Sequence, residues 1–425
     1  MMELLIFALG VFGGVFAGLV PGVGVFTTLI LLYPLLIDLT LVQLLILYIP
    51  LASISQFIGS VPALYFKIPG ESTSFIATEY GHDLFTKGHH DLIPLTAIGS
   101  LVATTMSAVV ILCLPYLYDS MFYAFLSTKF VFFLILLTGA CLVATSKNNW
   151  LVSTAMIVGG MVLGNIGFNA STGKFFGTFD NDWLSYGIPL FPFIVSLYVL
   201  PNIVNLDSSS VNGRTIDNAY VKSIGNFKHY FGKMINGSLI GMVTGFVPII
   251  GKIVGVSASR ALHRKSDKDS VIAAESSNNS SIFTAMIPLF LFGVPITLGE
   301  ILIYNVAETN YDLQNEFKSI LSSWLLPMLI MASGVLGLLL SWPLARYCTY
   351  IFRLPTLFLK ALFLAVVLAS LIYIGLIKHM AWYYIMVLMA FLPLGYLLRN
   401  RDVIPLIFSF IFAKISMTIF ERILI

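Results

Sequence analysis

Two kinds of proline-containing stretch interrupt apolar segments of this sequence. The first is G-x-x-x-G-x-x-P-G-x-G from Gly14 to Gly24, and the second is F-K-I-P-G-E-S-T-S from Phe66 to Ser74. A helix broken at such a point exposes amides that bind anions and carbonyls that bind cations. The pattern therefore predicts a binding site for a small charged ligand. The alternative is that Gly-x-x-x-Gly packs helices closely and the prolines only kink them.

A polar run, A-E-S-S-N-N-S-S from Ala274 to Ser281, stands directly before the apolar run that ends at Pro295. Its hydroxyls, amides and the Glu275 carboxylate could bind a ligand or an ion, or the run could be an exposed loop with a helix cap. Another polar stretch, 252–264, carries Ser257, Ser259 and Arg260 and is more typical of a solvated hairpin face.

Charged residues flank the interrupted segments. Lys67 and Glu71 are four residues apart around Pro69-Gly70 and could pair on one helical face, and Lys252 and Glu300 follow the later breaks. Charges inside a membrane segment mark functional sites by default. A buried structural ion pair is the alternative.

A histidine-rich stretch is the remaining candidate for chemistry. His82 and His89 are seven residues apart, with Asp83, His90 and Asp91 nearby, but an interfacial loop is the favoured interpretation and no metal site is predicted. The sequence contains no Ser/His/Asp constellation, phosphate-binding loop or dinucleotide fingerprint. We therefore expect no enzyme activity and no organic cofactor.

The composition is that of an integral membrane protein. Of the 425 residues, 58% are hydrophobic and 10% are charged, against about 45–50% and about 25% in soluble proteins. A span takes roughly 20 residues, so the chain can supply on the order of ten. No nucleic-acid partner is expected.

The apolar N-terminus is interpreted as a retained membrane segment. The three separated cysteines argue against a disulfide framework.

An internal repeat divides the chain. Gly14, Gly18, Pro21 and Gly24 recur in one constant frame as Gly241, Gly245, Pro248 and Gly251, and Pro62 and Pro69 recur as Pro288 and Pro295, within one residue of that frame. We predict an N-terminal transmembrane repeat (1–204), a polar loop or interfacial linker (205–233) and a C-terminal transmembrane repeat (234–425). The predicted fold is an all-α polytopic membrane protein.

The charges predict that the two halves are inverted. If each half is a re-entrant hairpin plus about five crossings, one face collects fourteen Lys and Arg and the other only Lys174, Lys318, Lys378 and Arg422. The richer face is then cytoplasmic, and both termini are external.

Four stretches together resemble the large membrane subunit of the tripartite tricarboxylate transporters. They are GLVPGVG, QFIGS followed by KIPGESTS, GFNASTGKFFGTF, and AESSNNSS followed by IPLFLFGVP. That family carries G-x-x-P-G-x-G, then G-G-S and N-I-P-G-T, G-x-D-x-x-x-G, and P-E-x-x-N-N-A before L-G-I-P-G-S. The resemblance spans nearly the whole chain. It implies a bacterial inner-membrane permease for carboxylates, with a periplasmic solute-binding protein and a small four-helix membrane subunit as partners.

The resemblance also implies site residues, and our candidates add the charged and hydroxyl residues beside the breaks. The candidate substrate- or ion-binding residues are Pro21, Gly22, Gly24, Gly59, Ser60, Lys67, Pro69, Gly70, Glu71, Ser72, Lys252, Glu275, Asn278, Asn279, Pro295 and Thr297.

This chain departs from the family pattern at several breaks. Lys67 and Glu71 stand where the family has Asn and Thr, and the late P-G pairs have become Pro248-Ile249 and Pro295-Ile296. A lysine ammonium can take the place of a bound cation, so coupling to Na⁺ or H⁺ is an open expectation. We expect a secondary-transporter permease for a small organic anion. The alternative is a divergent homologue that serves as a membrane scaffold or acts on a lipid-linked substrate.

The predicted inversion can be tested by cysteine labelling in intact cells. Cysteines at Lys265 and Arg399 should be protected from an impermeant reagent, whereas cysteines at Asp180 and Asp312 should react. Labelling of the Asp180 and Lys265 variants from the same side would contradict the inverted arrangement.

Overall fold

The computed structural model describes residues 1–20, 23–68, 73–121, 128–169, 173–204, 219–263, 266–292, 294–308, 313–351, 356–377 and 379–413. These residues are predominantly helical. Up to the long helix near the midpoint, the elements are α1 (Met2–Leu19), α2 (Gly24–Leu36), α3 (Leu41–Phe66), a π-helical turn (Ala77–Gly81), α4 (His82–Thr86), α5 (Leu92–Met121), α6 (Thr128–Thr145), α7 (Trp150–Asn165), β1 (Gly167–Asn169), β2 (Lys174–Phe176), α8 (Asp182–Ser185), α9 (Leu190–Ile194), a second π-helical turn (Val195–Val199) and α10 (Leu200–Val204).

The remaining elements are α11 (Ala219–Thr244), α12 (Gly251–Leu262), α13 (Asp267–Phe292), α14 (Leu298–Glu308), α15 (Leu313–Leu321), α16 (Leu325–Ile351), α17 (Thr356–Ile377), α18 (Ala381–Leu397) and α19 (Ile404–Ala413).

Within the residues that the structure describes, five helices are long and apolar enough to cross a membrane. They are Met2–Leu19, Leu41–Phe66, Leu92–Pro115, Leu325–Cys348 and Lys360–Ile377, and shorter apolar helices accompany them. The protein is therefore a multi-pass, helical membrane protein. The number of crossings and their orientation stay predictions.

A small β-hairpin modifies the predicted all-α fold. β1 and β2 pair antiparallel, with Phe168 opposite Phe175 and their ring centroids 5.0 Å apart. The turn closes where the Gly173 amide donates to the Asn169 carbonyl, and Gly173 takes a positive φ of 68°. Three-residue strands give too little periodic signal to be recognised in sequence.

The internal repeat is also a repeat of helix packing. α1 packs on α3 as α11 packs on α13. Glycines at four-residue spacing line both contacts, and a Cβ on any of them would press against a carbonyl oxygen of the partner helix. In the first contact Gly10, Gly14 and Gly18 face the carbonyls of Leu47, Leu51 and Ser55, and in the second Gly237, Gly241 and Gly245 face those of Ala273, Ser277 and Ser281.

The Gly-x-x-x-Gly spacing thus has a packing role in both halves. The glycines contact carbonyls of α3 in the first half and of α13 in the second. The residue numbers of these carbonyls differ by the same amount as those of Pro62 and Pro288, in agreement with the sequence repeat. Small residues let two backbones approach closely, which is the main source of helix attraction where lipid surrounds the protein.

The segment between the halves differs in part from the predicted loop or linker. α11 already begins at Ala219, so residues 219–233 are helical, while 205–218 lie outside the described residues. Phe227 and Tyr230 pack against a buried cluster, and the Lys233 ammonium lies 3.2 Å from the Asp269 carboxylate. These contacts stabilise a helix that the polar composition alone disfavours.

The two glycine contacts predict which glycines tolerate a methyl group. Gly14→Ala and Gly241→Ala should each lower the free energy of unfolding by about 1–3 kcal/mol, because the added Cβ has no room. Gly159→Ala on α7 is the matched control, since its Cβ would meet nothing within 4 Å and a helical alanine is favoured by up to about 1 kcal/mol. Thermal unfolding in detergent measures all three. Equal stability of the Gly241 and Gly159 variants would contradict the packing role.

Candidate functional site

The polar run of α13 lies in the middle of a helix and is wholly buried. Glu275 and Asn279 are 1% exposed and Asn278 is 0% exposed. The alternative of an exposed loop with a helix cap is therefore wrong. Glu275, Asn278 and Asn279 stand at positions i, i+3 and i+4, which places them on one face of the helix.

Two amides join this face to the neighbouring helices. The Asn278 Nδ2 donates to Gln56 Oε1 on α3 at 2.6 Å, and the Asn279 Nδ2 donates to Ser100 Oγ on α5 at 2.9 Å. Asn279 also donates to the Glu275 carbonyl at 3.0 Å. A buried cluster made of Gln56, Ser100, Glu275, Asn278 and Asn279 results, and we call it the polar cluster. It connects helices from both predicted halves.

The polar cluster keeps unused bonding capacity. Among the described residues, Gln56 Nε2, Asn278 Oδ1 and Glu275 Oε2 are buried and have no hydrogen-bond partner. Buried polar atoms are nearly always paired, and an unpaired one costs about 1–3 kcal/mol. One donor and two acceptors close together are therefore available to a ligand, an ion or water.

Small residues bring the helices close enough for these bonds. A Cβ on Gly99 of α5 would lie 2.5 Å from Ser276 Oγ, so α5 approaches α13 at van der Waals distance. Ser280 Oγ donates to the Ser238 carbonyl of α11 at 2.8 Å on another side of α13. The small and hydroxyl side chains of α13 thus contact α5 and α11 in place of lipid.

The second-half breaks lie next to each other. The Ile249 amide donates to the Ile296 carbonyl at 3.3 Å, and Pro248 and Pro295 are both buried. Ile249 has a φ of 62°, a left-handed conformation that is rare for a β-branched residue. The glycine at the equivalent position, Gly22, is outside the described residues. Ile249 therefore takes a backbone conformation that glycine usually adopts.

Thr297 and Glu300 form a helix cap. The Glu300 carboxylate accepts from the amides of Ile296 and Thr297 at 3.0 and 3.2 Å, and the Glu300 amide donates to Thr297 Oγ1 at 3.4 Å. Lys252, in the first turn of α12, interacts electrostatically with Glu300. The hydrogen bonds of Thr297 and Glu300 stabilise the start of α14. A ligand-binding role for Lys252 and Thr297 stays a prediction.

The first-half candidates fall into two groups. Pro21, Gly22, Pro69, Gly70, Glu71 and Ser72 lie outside the described residues. Gly24 begins α2 with a φ of 59°, the Gly59 amide lies 3.0 Å from a Cβ built on Gly18, and Ser60 Oγ donates to the Phe57 carbonyl at 3.0 Å. Gly59 and Ser60 therefore serve helix packing and the internal bonding of α3.

Lys67 ends α3 in a left-handed conformation, with a φ of 59°. Its ammonium lies 3.9 Å from the Asp83 carboxylate, and both side chains are more than half exposed. An exposed pair at this distance contributes at most about 1 kcal/mol. The predicted pairing of Lys67 with Glu71 stays a prediction.

Residues of the histidine-rich stretch contact α3, α4 and α13. His82 Nδ1 lies 2.9 Å from the Leu64 carbonyl, the His90 ring stacks on Phe85, and Asp91 pairs with Lys268 of α13. Within the described ranges no three His, Cys, Asp or Glu side chains converge as metal ligands. These contacts tie the stretch to α3 and α13.

Comparison with known proteins decides the family. The model of the tripartite tricarboxylate transporter TctA family matches residues 4–408 of the chain. This chain belongs to that family. It is also 26% identical over 301 residues to an "Uncharacterized 52.8 kDa protein in TAR-I ttuC' 3'region" from Agrobacterium vitis, a match that covers 67% of this chain and 60% of the relative. No solved structure matches the chain.

Sequence reasoning missed two members of the polar cluster in this TctA-family protein. Gln56 and Ser100 partner the α13 amides. Gln56 is a lone amide in an apolar run, and Ser100 stands four residues from both Thr96 and Thr104. Either sequence feature could have identified these two residues, since a polar side chain in a membrane helix commonly forms a hydrogen bond with another helix.

The amide bridge between α3 and α13 predicts energetic coupling. Gln56→Leu and Asn278→Leu should each destabilise the fold by about 1–3 kcal/mol, because each leaves a buried amide without its partner. The double variant should be less destabilised than the sum of the two, by about 0.5–3 kcal/mol. Thr105→Val, which removes an exposed hydroxyl of α5, should change stability by less than about 0.5 kcal/mol. Additive effects in a thermal-unfolding cycle would contradict the bridge.

Proposed function

We propose that this protein is the membrane permease of a tripartite carboxylate transporter and that it binds its substrate at the polar cluster. The observation that carries the proposal is the buried set of unpaired polar atoms where α3 and α13 meet. Gln56 Nε2 is a donor suited to a substrate carboxylate, and Asn278 Oδ1 and Glu275 Oε2 are oxygen acceptors. The family supports transport as the activity and disfavours the scaffold and enzyme alternatives.

We place a coupling cation at Glu275. A carboxylate and an amide oxygen are ligands for a hard cation such as Na⁺, and a buried carboxyl can instead carry H⁺. A cation bound there would neutralise the carboxylate and lower the cost of bringing an anionic substrate next to it. This arrangement would make anion binding depend on the cation.

Assembly and orientation are part of the proposal. We propose that a periplasmic solute-binding protein delivers the substrate, that a small membrane subunit accompanies this chain in the inner membrane, and that both termini face the periplasm. The family's tripartite architecture supports the first two statements, and the distribution of Lys and Arg supports the third.

Ligand-dependent thermal stabilisation of the purified protein tests the proposal. We expect at least one of citrate, tricarballylate, succinate and tartrate to raise the unfolding temperature, with acetate inactive, and the effect to be larger in NaCl than in choline chloride if Na⁺ is the coupling ion. A ligand at a hundred times its Kd adds about 2.7 kcal/mol. Glu275→Gln should abolish the dependence on the cation, and Asn278→Leu should abolish stabilisation by the carboxylate.

Thr105→Val serves again as the control and should respond to ligand like the parent. Stabilisation that is unchanged in both cluster variants would place the substrate elsewhere. If none of the four polycarboxylates stabilises the parent protein under any cation condition, the proposed function is wrong.

A further inference from the structure

An arginine of α12 stacks on a tyrosine of the first π-helical turn. The Arg260 Cζ lies 3.3 Å from the centroid of the Tyr80 ring. Because each guanidinium nitrogen is about 1.33 Å from that carbon, an edge-on arrangement would bring a nitrogen closer to the ring than van der Waals contact allows. The two planes are therefore stacked, and the N–H groups point outward around the edge of the pair.

The Arg260 guanidinium has unused hydrogen-bonding capacity. Within the described parts of the chain, the Arg260 side chain lies against the Tyr80 ring and pairs with no carboxylate. Arg260 is half-buried, so its outward edge can be reached. A planar fork of N–H donors held in place by stacking is suited to bidentate binding of a carboxylate.

The turn that carries Tyr80 packs closely against α3 and α13. Gly81 fits between α3 and α13, where a Cβ would lie 2.5 Å from Leu64 Cδ2 and 3.4 Å from Val271 Cγ1. Thr78 Oγ1 donates to the Ser74 carbonyl at 2.8 Å. π-Helical turns in otherwise α-helical proteins are frequent at functional sites. The Tyr80 ring is thus a fixed platform for the guanidinium.

The stacked pair lies close to the polar cluster. Gly81 faces Val271, which is one turn of α13, about 6 Å, before Glu275. On α12, a Cβ on Gly255 would lie 2.8 Å from Ser277 Oγ, and Arg260 is five residues, about 7.5 Å, farther along that helix. Both helices therefore place the guanidinium near one end of the polar run.

Two other arginines that lie over aromatic rings differ from Arg260. Arg346 lies 5.1 Å from the Trp342 ring and Arg399 lies 4.3 Å from the Tyr396 ring. Each of these pairs is formed within about one turn of chain and has an exposed arginine, whereas Arg260 is half-buried and far from Tyr80 in sequence, in the other predicted half. The Arg260–Tyr80 distance is shorter, and the two residues are far apart in sequence. This contact therefore forms only when α12 and the first π-helical turn are in one relative position.

We propose that Arg260, oriented by Tyr80, binds a carboxylate of the transported anion at the end of the polar cluster. The inference rests on the proposed function and adds a specificity-determining residue to it. A guanidinium fork favours a substrate with a free carboxylate beyond the one bound by the cluster, that is, a dicarboxylate or tricarboxylate. The positive charge of the guanidinium also offsets the free-energy cost of desolvating that second carboxylate.

Affinity measurements on three variants test this role. The probe is the polycarboxylate that most stabilises the parent, and its Kd is measured by isothermal titration calorimetry. Arg260→Lys keeps the charge but loses the planar fork and should weaken binding at least about tenfold. Tyr80→Leu keeps the arginine but removes its platform and should weaken binding several-fold. Arg399→Lys is the matched control and should bind like the parent.

The unfolding temperature without ligand separates binding from folding. Arg260→Lys and Tyr80→Leu should unfold within a few degrees of the parent, so that weaker binding reports a lost contact. Parent-like affinity in both variants would overturn the role of Arg260 and leave the proposed function standing. Failure of the parent itself to bind any polycarboxylate would overturn both.

Discussion

The structure depends on burying the polar middle of α13 within protein. A helix that carries Glu275, Asn278 and Asn279 cannot face lipid, because each unpaired polar group there would cost several kcal/mol. The fold surrounds it with α3, α5, α11 and α12. Glycines permit that approach on the α11 side, and amide and hydroxyl partners are supplied from α3 and α5. Gln56 Nε2, Glu275 Oε2 and Asn278 Oδ1 keep unused bonding capacity, and the proposed binding site rests on those three atoms.

The two halves share their packing but not their polarity. α3 and α13 are equivalent in the repeat and meet equivalent glycine-lined helices, yet the positions on α3 that correspond to Glu275 and Asn278 are Ile49 and Ala52. The C-terminal half therefore supplies Glu275, Asn278 and Asn279, and the N-terminal half contributes Gln56 and Ser100. Equivalent packing thus accompanies unequal chemistry at these positions of α3 and α13.

Part of this arrangement can be predicted from the sequence because it depends on the spacing of glycine and proline residues. The constant displacement of the repeat is visible there, and close packing at Gly-x-x-x-Gly is one of the two interpretations that the spacing offers. A ligand site at AESSNNSS stays a prediction. The residues with which Gln56, Ser100 and Tyr80 pair cannot be predicted from the sequence, since those pairs form only through tertiary packing. Lys67 was interpreted through its charge, yet its position is a left-handed helix end. Asn, which the family has there, tolerates that conformation better than most residues. The helix over 219–233 was missed because its stabilising contacts lie on other segments.

The central claim is that the substrate and its coupling cation bind at the polar cluster, and a cryo-EM map of the protein with bound polycarboxylate and Na⁺ tests it most directly. The account predicts ligand density within hydrogen-bonding distance of Gln56 Nε2, together with density for a cation or water between Glu275 Oε2 and Asn278 Oδ1. Ligand density at a different place in the protein, with these three atoms unchanged and unoccupied, would contradict it.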